Sequence, residues 1–336
     1  MKLLYLILAH KEPSQIIRLV KTLSSQQDYV IIHYNKASKL EEYNQLSDAL
    51  QSNQYVFFAD RIKTAWGHFS LIQAIISGLK KAQNLELSYD HVIILSGQDY
   101  PIKSNSEIKR FLTAHPKKLF YTHFEITNDL GTNKRYVHPI NDIVTTRPQK
   151  HRLDSYYWVL KDRKYLLLPG EMNSRSTSLR TRFTNKLKGL MRYAIKRKFP
   201  EGYKPYFGAT FGMITAEFAN YLLEFYDGQK AFNQYMKYAF CADEMYLVTV
   251  AMNHPYFASK MVNTNMIFSV WEDNEGFHPV MLTSQHFDQI MSSRKLFARK
   301  FDIWVDAQVL NKIDEKVNTS LDLTASIESS EKRVGR

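Results

Sequence analysis

Three short stretches of this 336-residue chain carry the residue types that proton transfer and anion binding need. In "HVIILSGQDYPIKS" an apolar run, Val92 to Leu95, stops at small and polar residues, and Asp99 stands two positions before Pro101. In "CADEMYLVTVAMN" Asp243 and Glu244 come near the start of a helical pattern, and in "LFARKFD" Arg299 and Lys300 stand side by side. A positioned carboxylate can take a proton from a hydroxyl. An acid at that place also simply favours the positive end of its helix. Adjacent fixed cations can neutralise a departing phosphate. Asp99 can orient a ligand or cap the loop before Pro101.

Several other chemistries lack their sequence signals. There is no glycine-rich phosphate loop and no dinucleotide fingerprint, no Cys/His spacing for zinc and no G-x-S-x-G elbow. There is also no Asp-x-Asp pair to hold a divalent metal against a phosphate, which leaves lysine and arginine for that task. The net charge of +12 favours an anionic partner: nucleic acid, a membrane surface or a phosphorylated substrate. The one cysteine, Cys241, cannot close an internal disulfide, which suits a reducing compartment.

The elements that must position these residues alternate. "LLYLILAH" and "YVIIHY" are short apolar runs of the buried, parallel kind. Between them "SQIIRLVKTLSS" puts Ile16, Leu19, Val20 and Leu23 on one helical face after Pro13. "YVFFAD" predicts a third strand, and "GHFSLIQAIISGLKKAQ" a helix with Phe69, Ile72, Ile75, Ile76 and Leu79 inward. "HVIILSG" follows as a strand, and "YFGATFGMIT" and "AEFANYLLEFY" predict a further strand and helix. This order predicts an α/β fold with an open, mostly parallel, Rossmann-like sheet flanked by helices. Its ligands would lie at the carboxyl ends of the strands, where His10, His33, Asp60 and Asp99 fall. "MKLLYLILAHKEP" lacks a charged leader and a small-residue cleavage site, so it is expected to be a first strand rather than a signal peptide.

The middle of the chain is basic and less periodic. From Arg175 to Lys198 there is no acidic residue, and Leu187, Leu190, Met191, Ala194 and Ile195 form an apolar stripe. Two readings stay open: a helix on an anionic membrane surface, and a solvated helix packing its stripe on the domain. No nucleic-acid module is recognisable, so no nucleic-acid partner is expected.

Four stretches, in order, resemble the core 2/I-branching N-acetylglucosaminyltransferase and peptide O-xylosyltransferase family of inverting glycosyltransferases. They are "YLILAHKEP" with "IIHYNKAS"; "TAWGHFSLIQA"; "ILSGQDYPIKS"; and "ADEMYLVTV" with "NTNMIFSVW" and "SSRKLFARKFD". The likeness runs over about residues 3 to 302, more loosely in the middle third. It implies a GT-A type fold, a UDP-sugar donor (N-acetylglucosamine first), a glycan or lipid-linked glycan acceptor, inversion at the anomeric carbon, and no essential metal or cofactor. Carried over by position, Glu244 matches the catalytic base and Lys300 a contact to the donor diphosphate, with Arg299 as a second cation.

His10, Asn35 and Asp60 are assigned to the donor nucleotide, and Asp99, Trp66, Asp243 and Trp271 to the sugar and acceptor. For His10 a packed histidine, for Asp60 and Asp99 a turn or loop cap, and for Trp66 and Trp271 a core aromatic is the structural alternative. The chain departs from the family at "HYNK", where Asn35 stands in place of an Asp suited to the nucleoside. That keeps a catalytically degenerate glycan- or polyanion-binding member as the rival reading. The resemblance also suggests a bacterial enzyme of surface polysaccharide synthesis, cytoplasmic or peripheral on the inner membrane face. The expected layout is one domain over 1–305, with 175–198 as a basic insertion, then a C-terminal helix and polar tail over 306–336.

Overall fold

The computed structural model describes residues 1–24, 27–126, 153, 156–159, 165–168, 197–271 and 279–317. The basic segment up to residue 196 and the tail from 318 lie outside the described residues.

The alternation read from the sequence is present. Strand β1 (Leu3–Ala9) leads to α1 (Pro13–Leu23), β2 (Tyr29–Tyr34), α2 (Leu40–Leu50), β3 (Val56–Phe58), α3 (Ser70–Asn84) and β4 (His91–Ser96). A short strand β5 (Asp99–Pro101) and helix α4 (Asn105–Ala114) follow, then β6 (Leu119–Phe120) and β7 (His123–Glu125). Strands β8 (Tyr156–Val159) and β9 (Tyr165–Leu168) pair with each other, apart from the main sheet, among the described residues. The segment expected as one strand, "YFGATFGMIT", is two: β10 (Tyr206–Gly208) pairs with β7, and β11 (Gly212–Thr215) joins the main sheet. The break is built at glycine: a Cβ on Gly208 would lie 1.7 Å from the Thr122 carbonyl oxygen, so the two backbones touch there.

The chain continues with α5 (Ala216–Gly228), α6 (Lys230–Met236), a single 3-10 turn (Ala242–Glu244), α7 (Tyr246–Met252) and α8 (Pro255–Ala258). Two-residue strands β12 (Met261–Val262) and β13 (Ile267–Phe268) precede α9 (Phe287–Ser292), β14 (Phe297–Arg299) and α10 (Ile303–Asp306). A further helix covers 308–317.

The main sheet has seven strands in the order β12-β6-β11-β4-β1-β2-β3. Strands β4, β1, β2 and β3 run parallel, and β11 opposes both its neighbours. The expected mixed α/β architecture with a mostly parallel sheet is therefore the one observed. Both faces are covered, which is why the central strands read as continuous apolar runs. Leu4, Leu6 and Leu8 face a core that includes α3, α5 and α7. Leu3, Tyr5, Ile7 and Ala9 face the opposite core, with α1, α4 and β14. Val309, Leu310 and Ile313 join that second core, so the C-terminal helix packs with the domain. Phe211, between β10 and β11, packs against both cores.

Candidate active site

The parallel strands β1, β2 and β4 end level with one another: Leu8 is opposite both His33 and Ser96. The connections leaving these ends build the candidate site.

Beyond β4 the chain turns at once into β5, and β14 runs antiparallel to it with Arg299 opposite Asp99. Asp99 is 1% exposed. Its Oδ2 accepts from the Ser96 amide at 2.6 Å, closing the turn that the proline follows. Its Oδ1 lies 3.4 Å from Arg299 Nε, and neither of these two buried atoms completes a hydrogen bond. Burial pushes the Asp99 carboxyl above its usual range, opposed by the positive charges of Arg299 and Lys300. The Arg299 guanidinium lies 4.5 Å above the Phe211 ring. Asp99 is thus a buried partner of Arg299 and of the β4 turn.

Lys300 comes next. Burial, with Arg299 beside it and Lys11 nearby, lowers its pKa to about 8, while Asp99 pulls the other way. Lys11, two residues past β1, pairs with Asp302 at 2.5 Å. Asp302 also caps α10 by accepting from the Trp304 amide, and its pKa is held low despite partial burial. The buried Gln15 of α1 binds these pieces together. Its amide donates to the Gly97 carbonyl at 2.8 Å and to the Phe301 carbonyl at 3.1 Å, and its oxygen accepts from the Ile303 amide. Three cations, Lys11, Arg299 and Lys300, therefore gather where β1 and β4 end.

The carboxylate candidates stand on the turn before α7, where the helix start was expected. Glu244 closes this turn, its amide donating to the Cys241 carbonyl, and its side chain is partly exposed. Asp243 is buried and accepts from Thr210 Oγ1 at 2.8 Å. Since Phe211 carries the Arg299 guanidinium, two adjacent residues, Thr210 and Phe211, join the acidic turn to the cation cluster. The same turn rests on the Trp-Gly segment. The Ala242 amide donates to the Gly67 carbonyl, and the Trp66 ring meets Phe240 edge-on at 5.8 Å. Gly67 needs to be glycine: its φ is +65°, and a Cβ would meet Cys241 Sγ at 3.3 Å. Trp66 is half-buried in this contact, so its packing alternative is the one observed for that face.

The buried and half-buried polar groups at the β2 end are engaged in local hydrogen bonds. Asn35 Oδ1 accepts from the amides of Ala37 and Thr64, and Nδ2 donates to the Thr64 carbonyl. His33 is buried and accepts from the Ile62 amide at Nε2, so the proton of the neutral ring is on Nδ1. Burial, with Arg61 nearby, takes its pKa down to about 4. Arg61 caps the Tyr34, Asn35 and Ser38 carbonyls and lies over Tyr43. Asn35 therefore does a job that an Asp cannot do in full, because only an amide donates to the Thr64 carbonyl. His10 is exposed, with its carbonyl bound by Ser38 Oγ. Asp60 is exposed at the end of β3, its carbonyl accepting from Ser77. Trp271, for which a core place was the alternative, is 41% exposed, with its indole N–H on Ser269.

Sequence reasoning missed Lys11, Gln15, Thr210, Phe211 and Asp302. Lys11 had a usable signal, since it follows His10 directly off the first strand. The others act across separations of 33 to 291 residues, which no local pattern encodes. Among the described residues no group of three or more His, Cys, Asp or Glu could hold a metal ion. Nor is any helix among them long and apolar enough to cross a membrane.

The ends of an α/β sheet thus gather three cations, and Thr210 and Phe211 join them to a carboxylate-bearing turn. The family follows from sequence comparison: the model of the Core-2/I-Branching enzyme family matches residues 3–293, and the chain belongs to that family. Arg299 and Lys300 lie just beyond the matched residues.

Mouse xylosyltransferase 2 is 24% identical over 332 residues, covering 93% of this chain and 33% of that protein. The human "probable β-1,3-galactosyl-O-glycosyl-glycoprotein β-1,6-N-acetylglucosaminyltransferase 7" is 28% identical over 111 residues, 33% of this chain and 26% of that protein. An Arabidopsis thaliana β-glucuronosyltransferase is 30% identical over 123 residues, 36% of this chain and 28% of that protein. The chain thus spans a third or less of the length of these relatives. Among solved structures, core-mannan synthase A of Aspergillus fumigatus aligns at 8% identity with a TM-score of 0.32, covering 76% of this chain and 71% of that one. A likeness that low carries no weight.

Proposed function

We propose that this chain is an inverting glycosyltransferase that moves a sugar from a UDP-sugar to a hydroxyl of a glycan acceptor. Glu244 is the base, and Lys300, backed by Arg299 and Lys11, stabilises the leaving diphosphate. The observation that carries this reading is the Thr210–Phe211 bridge, which ties the turn bearing Glu244 to the cation cluster. A single displacement needs those two functions side by side. The acceptor oxygen attacks the anomeric carbon and its proton passes to the Glu244 carboxylate. The bond from that carbon to the diphosphate oxygen breaks, and the electron pair leaves with the diphosphate.

N-acetylglucosamine is the first donor sugar to test, because the resemblance favours it and the human relative is named for its transfer. With the leaving charge met by lysine and arginine, turnover should persist in EDTA. A lipid-linked acceptor in surface polysaccharide synthesis, at an anionic membrane face, is part of the same proposal. It rests on the basic run alone. Glu244→Gln should bind UDP-sugar as the parent does and lose turnover; normal turnover in that variant would remove Glu244 as the base. A parent protein that binds UDP-sugars but transfers nothing to any glycan would favour the degenerate reading.

A further inference from the structure

Trp304 is 79% exposed, yet it is not loose. Its amide is capped by Asp302, and its indole Nε1 donates to the Glu12 carboxylate. Glu12 itself is fixed in a left-handed conformation, φ 56°, at the head of α1. Asp302 is in turn paired with Lys11, so the indole is held at the edge of the cation cluster. A large aromatic left in solvent forgoes the burial that such side chains usually obtain. A flat partner laid on its ring would restore it.

The position of Trp304 along the site says what. The acidic turn belongs to one face of the sheet, with Ala242 and Met245 in one core. The segment carrying Trp304 belongs to the other, with Phe301 and Val309 in the second core. Phe211, which lies under Arg299, touches both. A chain of contacts therefore runs from the turn bearing Glu244 through Thr210 and Phe211 to Arg299, and from Lys300 with its neighbour Lys11 through Asp302 to Trp304. A sugar nucleotide has the same sequence of parts: reacting sugar, diphosphate, nucleoside. If the sugar end lies at Glu244 and the diphosphate at Lys300, the nucleoside leaves toward Trp304.

We propose that Trp304 is the stacking face for the base of the donor nucleotide, held in place by Glu12 and Asp302. The inference rests on the proposed function, because it takes its direction from the roles of Glu244 and Lys300. It adds the rim between α1 and α10 to the surface that would recognise the nucleotide. Base–aromatic stacking tolerates any base, so this contact supplies affinity rather than choice of base.

The test compares two probes, UDP and inorganic pyrophosphate, by calorimetry on the full chain. Trp304→Ala should weaken UDP about 10-fold, as expected when a stacking ring is replaced by alanine, and leave pyrophosphate unchanged. Trp304→Phe keeps a ring and should recover most of that affinity. Lys300→Ala should weaken both probes. The Trp304 side chain is exposed, so folding of the alanine variant is not at issue. If the parent binds UDP and Trp304→Ala binds it equally well, the stacking role is wrong while the proposed function stands. If the parent binds no UDP, both fail. If Trp304→Ala weakens pyrophosphate as much as UDP, Trp304 serves the cation cluster and not a base, and the inference fails.

Discussion

The ends of β2 and β4 lie in one sheet, on either side of β1, and carry comparable polar residues, but they are wired differently. At β2, His33, Asn35 and Arg61 spend their hydrogen bonds on the backbone between Tyr34 and Thr64. At β4, Asp99 and Arg299 face each other at 3.4 Å with buried atoms unsatisfied, and Lys300 carries a lowered pKa among like charges. A saturated network holds a shape. At the β4 end the like charges of Lys300, Arg299 and Lys11 oppose one another, and such a cluster would gain from an anion. Residues that look alike in the sequence are thus committed to different partners at the two strand ends.

Substitutions at the two ends should then fail in different ways. The largest effect belongs to neither end: Glu244→Gln should lower turnover by roughly 10²- to 10⁴-fold with donor binding retained, measured by product formation and calorimetry. At β4, Lys300→Ala should lower turnover by about 10²- to 10³-fold and weaken UDP-sugar, with little change in melting temperature. The same lysine sets a pH limit. Its ammonium is the form that binds a diphosphate, so donor affinity should fall as pH rises through about 8, and Lys300→Arg should move that limb to higher pH. An affinity flat to about pH 10 in the parent would take Lys300 out of the donor site.

At β2 the expected loss is in stability. Asn35→Asp sets a carboxylate against the Thr64 carbonyl and should cost about 1–3 kcal/mol, read by denaturant unfolding. If it instead left stability intact and abolished UDP binding, the division between the two ends would be wrong. Gly67→Ala, at a left-handed position against Cys241, should cost about 1–2 kcal/mol and disturb the Glu244 turn. The mildest effect is hidden at neutral pH. His33 takes a proton more readily when unfolded than when folded, so its contribution is present above pH 6.5 and lost as pH falls from 6.5 toward 4. Replacing His33 should flatten that part of the pH–stability curve.

The fold was legible where one face or both faces of an element must be apolar. Strands β1, β2 and β4 and helices α1 and α3 follow from their runs and periods, and Phe69, Ile72, Ile75, Ile76 and Leu79 are all buried. Helix α2 escapes such reading, because only Leu46 and Leu50 of its eleven residues are buried and its pattern is too sparse. The split of β10 from β11 depends on contact of Gly208 with Thr122, far away in the chain, and so leaves no local mark. In the site, Glu244, Arg299 and Lys300 are found through the family resemblance. Their proximity through Thr210 and Phe211 is invisible in the sequence, since a threonine and a phenylalanine carry no chemical signature of their own. Asp99 was correctly placed at a strand end, but its burial was not foreseeable: only the pairing of β5 with β14 closes it off.

Gln15 ties residues near position 15 to backbone at 97, 301 and 303. That gives the site a place in time as well as in space. As the chain leaves the ribosome, β1 to β4 can begin to pair early, since β1 pairs with β2 and β4, and β2 with β3, within about the first hundred residues. The mouth cannot close until roughly two hundred further residues have been made and β14 has returned to β5. A nascent chain stalled before residue 299 would carry most of its sheet and neither Arg299 nor Lys300, so the cation cluster should be the last part of the candidate site to form.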